Sequence, residues 1–190
     1  EAVRINYPGL DSGPVVVEGT AGVNIISSIR DAWAVNGVTT SFSQLMGMPA
    51  EQLSDKYLFP GYNNVTLNDQ LRIANVDTSA TTVTVTIGGT LRGTYPLAAG
   101  AAVRINYPGL DSGPVVVKGT SGVKIISSIR EAWAVNGVTR SFVQLMGLPA
   151  TIGDDPLRSR VSVSPFFMTV RLTRVKPGPV PTLSRNRGCR

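Results

Sequence analysis

Residues 81–89 read Thr-Thr-Val-Thr-Val-Thr-Ile-Gly-Gly, and this stretch decides the fold class. Its seven consecutive β-branched residues favour an extended strand over a helix. Val83, Val85 and Ile87 alternate with threonines, which predicts one apolar and one polar face. The glycine pair that follows is typical of a two-residue turn, so residues 91–97 are expected to return as the second strand of a hairpin.

Further strand signals lie on both sides of this hairpin, at a spacing of about 8 to 12 residues. Each is a short alternating or β-branched run bounded by turn residues: 57–64, 69–76, 102–107, 115–117, 123–135 and 138–146. In the second run, Leu71, Ile73 and Asn75 share one face. Strands of this number and spacing predict an all-β chain folded as an antiparallel β-sandwich.

Residues 125–133 fit two patterns. As an amphipathic helix they would place four residues on one stripe: Ile125, Ile129, Ala132 and Trp133. As a strand that continues to residue 135 they would place on one face Ile125, Ile129, Trp133 and Val135. We favour the strand, because the hairpin signal Asn136-Gly137 needs two antiparallel partners and no helix-capping residue precedes the segment.

The chain also repeats itself with a period of 100 residues. Residues 1–50 return as residues 101–150, and only eight aligned positions differ: 1, 18, 21, 24, 31, 40, 43 and 48. A period of this length corresponds to a whole domain. We therefore expect residues 57–150 to form one complete sandwich repeat and residues 1–56 to be the C-terminal half of a preceding repeat.

The differences between the copies indicate which surface is free to change. Three of them alter charge, since Glu18, Asn24 and Thr40 become Lys118, Lys124 and Arg140. The apolar strand positions stay the same. Changes of this kind are typical of solvent-exposed positions without a required ionic partner, and they favour an architectural spacer over a module that binds a charged ligand.

Residues 151–190 lie outside the repeat and form a basic tail rich in Arg and Pro. They hold eight basic and two acidic residues, whereas residues 1–150 hold ten of each, so the tail carries the whole net charge of +6. We predict strands at 159–163 and 166–175 and disorder over 176–190. Three origins stay open: a genuine terminus, a change of reading frame, or strands that fill an open sheet edge of the first module.

Composition excludes most catalytic and several binding classes. The chain has no histidine, so the commonest general base and the Ser–His–Asp and Cys–His arrangements are absent. The single cysteine, Cys189, lies in the tail. We expect no catalytic residue, no cofactor and no enzyme activity. The tail lacks the interleaved aromatics of a specific nucleic-acid binder, and no apolar run is long enough for a transmembrane segment.

Two weak sites remain as candidates. Asp11 and Asp111 could offer oxygen ligands to Ca²⁺, but each loop supplies one carboxylate where six or more oxygens are needed, so a simple turn is favoured. Trp33, Trp133, Tyr7 and Tyr107 could stack against a sugar. We favour the alternative that both tryptophans are core residues, because they share a strand face with isoleucines.

Several segments together resemble a known type of repeat. They are residues 57–64 with Tyr-Asn-Asn at their end, 71–76, 81–89, 107–115 and 141–150. The pattern resembles tandem β-sandwich repeats of long, largely uncharacterised bacterial secreted and cell-surface proteins, and it covers residues 1–150 but not the tail. The resemblance implies immunoglobulin-like modules in an extracellular or cell-surface protein, with structural or adhesive work as a spacer or stalk.

The expected partners are the neighbouring repeats of the same chain, together with surface glycans or other proteins. The alternative function is a carbohydrate-binding accessory module that uses exposed aromatic side chains. The resemblance brings no catalytic residue.

Overall fold

A computed structural model of the chain describes residues 2–135 and 138–150. The strands and the disorder predicted for the tail lie outside these residues. The described part contains the following strands: Ser28–Val35 (β1), Val38–Met46 (β2), Lys56–Phe59 (β3), Tyr62–Asn63 (β4), Asn68–Asn75 (β5), Thr81–Ile87 (β6), Thr90–Leu97 (β7), Ala102–Ile105 (β8), Asp111–Ser112 (β9), Val115–Lys118 (β10), Ile125–Val135 (β11), Val138–Met146 (β12) and Leu148–Pro149 (β13).

Helix is almost absent from this part of the chain. A single 3₁₀ turn, Ala50–Gln52, is the one helical element among the described residues. Nothing in residues 2–135 or 138–150 forms a helix of the length and hydropathy that would cross a membrane. The all-β prediction is confirmed.

Two antiparallel sheets enclose one hydrophobic core. Five strands lie in the order β13-β3-β10-β6-β7, and four lie in the order β12-β11-β5-β8. Both sheets contribute to the core cluster, whose members are Tyr57, Phe59, Tyr62, Leu71, Ile73, Val83, Val85, Ile87, Leu97, Ile105, Val115, Val117, Ile125 and Ile129. This two-layer arrangement is consistent with the predicted β-sandwich.

The β6–β7 hairpin follows its sequence closely. Val83, Val85 and Ile87 are fully buried, and the threonines between them face outward. Gly88 and Gly89 have φ angles of 58° and 77°, a pair of left-handed conformations that glycine adopts without steric cost. The predicted turn and the returning strand are both confirmed.

The ambiguous segment is a strand, as favoured. β11 pairs with β5 from Ile125↔Asn75 to Ala132↔Asn68 and with β12 on its other side. The sequence predicted that one face of β11 is buried as far as Trp133. The prediction holds up to Ile129, the last β11 residue in the core cluster, and is wrong beyond it. Trp133 keeps the alternation but lies past the end of the core, where it is 53% exposed.

The first copy has fewer regular elements than the second. Residues 2–27 form no strand, and β1 pairs only with β2. The β1–β2 hairpin lies beside the second copy, because Ser41 Oγ and Ser43 Oγ accept hydrogen bonds from the backbone N–H groups of Phe142 and Gln144 at 3.3 and 3.0 Å. Side chains rather than a backbone ladder therefore join β2 to β12.

Candidate functional site

A cleft of about 520 Å³ lies between the two sheets. Leu58, Phe59 and Leu148 line it from the five-stranded sheet, and Ile129 and Leu145 line it from the other. The polar lining consists largely of three acidic side chains, Asp69, Asp111 and Glu131. The cleft is therefore an apolar slot with an acidic side.

Asp69 is the buried acid of this cleft. The residue is 1% exposed, and its Oδ2 accepts a hydrogen bond from the backbone N–H of Asn63 at 2.6 Å. Its Oδ1 is buried without a hydrogen-bond partner in the described structure. Glu131 lies directly opposite Asp69 in the β5–β11 register, a like-charge pair that is unfavourable across strands.

The surroundings of Asp69 raise the pKa of its carboxyl above the ordinary value. Burial is the main cause, because it penalises the charged form, and the carboxylates of Glu131 and Asp111 add to the effect. The Asn63 hydrogen bond opposes these effects only in part. Asp69 consequently holds its proton to higher pH than an exposed aspartate.

Tyr62 joins the cleft to a cluster of tyrosines. Its hydroxyl donates to the Asp69 carbonyl at 2.8 Å and accepts from the Tyr107 backbone N–H at 2.9 Å. The Tyr107 ring meets Tyr62 edge to face at 5.7 Å, and its hydroxyl lies 2.9 Å from that of Tyr95. Burial is the first cause that raises the pKa of both Tyr62 and Tyr107.

The four aromatic residues predicted as a possible sugar-stacking platform do not share one environment in the structure. Tyr107 is half-buried in the cluster just described, whereas Tyr7 is exposed. Trp33 and Trp133 are also exposed, so their favoured placement in the core is wrong. Trp33 lies against the strand that carries Trp133, with the Arg130 guanidinium 5.7 Å from its ring centroid.

The two aspartates predicted as weak calcium ligands have different surroundings. Asp11 forms an ion pair and hydrogen bond with Arg104, which lowers the pKa of Asp11. Asp111, its repeat equivalent, lines the acidic cleft. Within residues 2–135 and 138–150, no three His, Cys, Asp or Glu side chains come together as a metal site.

The acidic cleft was not predicted from the sequence, although the sequence carries part of its signal. Side chains alternate along β5, so every second residue lies on the same face. Asp69 is two residues before Leu71 and therefore shares the inner face with it. The convergence with Glu131 and Asp111 depends on pairing between distant strands. Chemically, the cleft can accept hydrogen bonds or a cationic group flanked by apolar atoms.

Comparison with known proteins gives one structural likeness. No protein-family model matches the chain, and no curated protein matches its sequence. A crystal structure of a Thermotoga maritima protein is similar, with a TM-score of 0.44 and 9% sequence identity. The match covers 51% of this chain and 95% of that chain.

Proposed function

We propose that the protein is a non-catalytic structural repeat, a spacer or stalk built from immunoglobulin-like sandwich modules in an extracellular or cell-surface protein. Residues 57–150 are one complete module, and residues 1–56 are the second half of the module before it. The function is mechanical, since each module buries its own core and the number of modules sets the reach of the chain.

The distribution of differences between the copies supports this proposal. None of the eight differing positions is buried in the second copy: residues 118, 121, 124, 140, 143 and 148 are exposed, and residues 101 and 131 are half-buried. Every buried residue of the second copy is identical in the first. The two copies thus keep the packing of the sandwich and differ mainly on its surface, which suits a spacer better than a shared binding face. The exception is Ser43, which is 8% exposed in the first copy and is replaced by the exposed Val143 in the second.

Contacts between the first copy and residues 57–150 support neighbouring repeats as partners. Asp31 of β1 lies 4.0 Å from Arg72 of β5, and Asp11 pairs with Arg104. These ion pairs are partly or fully exposed, so they orient neighbouring units more than they stabilise them.

Arrays of increasing length test the spacer proposal. Chains with two, three and four tandem copies of residues 51–150 should show a maximum dimension in small-angle X-ray scattering that grows by the same increment with each copy. Growth as the cube root of mass, the behaviour of one compact particle, would contradict the proposal.

The exposure of Trp133 favours carbohydrate binding as the second candidate. An indole on the surface offers a flat apolar face to a sugar ring. If the chain binds an immobilised glycan, Trp133→Ala should abolish that binding with little change in stability, and Leu91→Ala, an exposed apolar residue on the other sheet, should not. Retained binding in Trp133→Ala would exclude this role.

A further inference from the structure

Identical residues are buried in the second copy and exposed in the first. Val115, Val117 and Ile125 are 0% exposed, whereas their equivalents Val15, Val17 and Ile25 are 69%, 55% and 48% exposed. The same holds for Ile105 at 6% and Ile5 at 65%. Because the side chains are the same, the difference comes from what covers them and not from their own chemistry.

The cover of the second copy comes from residues 54–97. In the five-stranded sheet, β10 lies between β3 and β6 and pairs with both. In the four-stranded sheet, β11 pairs with β5 over eight residue pairs. The equivalent edge of β1 has no strand partner among the described residues, and residues 15–18, the equivalent of β10, form no strand.

Backbone groups give the same contrast. Gly119 N–H and Ile125 N–H donate to the carbonyls of Asp55 and Ser54 at 2.7 and 3.0 Å. Among residues 2–135 and 138–150 one segment of this kind is present, and the second copy already occupies it. An open β-edge beside exposed apolar residues is the usual basis for addition of further strands.

We propose that residues 2–46 are an acceptor for one more polypeptide segment with the sequence pattern of residues 54–97. The segment adds its β5-like strand to the open edge of β1 and inserts strands on both sides of residues 15–18. This inference rests on the proposed tandem arrangement and names the partner of each half-module.

A chain extended at its N-terminus tests the inference. A second copy of residues 51–100 placed directly before Glu1 reproduces the junction that residues 51–100 make with Ala101. We expect the backbone amides of residues 15–18, and those of residues 25–32 that face away from β2, to exchange with solvent at least about tenfold more slowly than in the original chain, as sheet pairing would require. Amides of 115–118 serve as the internal reference for a folded module.

The matched control carries Leu71→Asp and Ile73→Asp in the added copy only. These changes place charges at two core positions, so the added segment should give no protection. Unchanged exchange of 15–18 and 25–32 in the extended chain, or equal protection by the control segment, would overturn the inference. Because this readout does not depend on particle length, its failure is distinguishable from failure of the spacer proposal.

A separate peptide of residues 51–100 gives a second measurement. Added to the original chain, it should bind with a stoichiometry of one to one and slow the same amides. Val17→Asp in the chain should abolish that binding, while the second copy stays folded. Binding that survives this substitution would contradict docking on the exposed strands.

Discussion

The buried carboxyl of Asp69 shows how much one residue can cost a small sandwich. It makes one hydrogen bond to Asn63, leaves one oxygen unpaired and faces Glu131 across the sheet. Its raised pKa means that the folded protein binds this proton more tightly than the unfolded chain does. The contribution of Asp69 to stability is therefore fully present below the unfolded aspartate pKa of about 3.9 and is lost as pH rises through the folded value.

Asp69→Asn should therefore stabilise the protein at neutral pH and flatten its stability profile from about pH 4 upward. Asparagine keeps an acceptor for the Asn63 N–H and carries no charge to bury. Urea denaturation at a series of pH values measures both effects. Glu51→Gln, a change at an exposed carboxyl, is the control and should alter neither. A variant less stable than the original at pH 7 would show that the charged form is favoured.

Elements whose partners are close in sequence are the ones that the sequence predicted. The β6–β7 and β11–β12 hairpins each join strands across a two-residue connection, so their turn signals suffice. The two-residue strands β9 and β13 were not predicted as strands, and β4 lies at the end of the predicted run 57–64, where a turn was expected. β4 pairs with β9 through Tyr62↔Ser112, and β13 pairs with β3, contacts that no local pattern encodes.

The β4–β9 ribbon can be tested at Gly113. A Cβ there would meet the Pro60 carbonyl oxygen and lie 2.9 Å from Gly61 Cα. Gly113→Ala should destabilise the protein by roughly 1–3 kcal/mol because the backbone must move apart. Gly13→Ala is the matched control, since nothing lies within 4 Å of its added carbon, and its effect should stay within about 0.5 kcal/mol. Chemical denaturation compares the two, and equal losses would contradict the close approach.

Because of the repeat, the molecule contains nearly the same sequence twice, in two different environments. Ile125 is fully buried between the sheets, while Ile25 is half exposed. Position in the tertiary structure, rather than hydropathy, separates them.

Ile125→Ala should cost roughly 2–5 kcal/mol, because it removes apolar burial and leaves a cavity. Ile25→Ala, the same chemical change 100 residues earlier, should cost less than about 0.5 kcal/mol. The free energy of unfolding from urea titration measures both. Similar losses would mean that the first copy is covered as completely as the second.

The sequence by itself determined the all-β class, the hairpins and the inner faces of β5 and β6, because alternation and turn residues act over a few positions. It also determined the repeat and the positions where the copies differ. Only the tertiary structure decided where the core ends along β11, and hence that Trp133 is exposed, because alternation specifies a face and not the extent of what covers it. The meeting of Asp69, Asp111 and Glu131, and the different burial of identical residues in the two copies, depend on strands paired across distant parts of the chain.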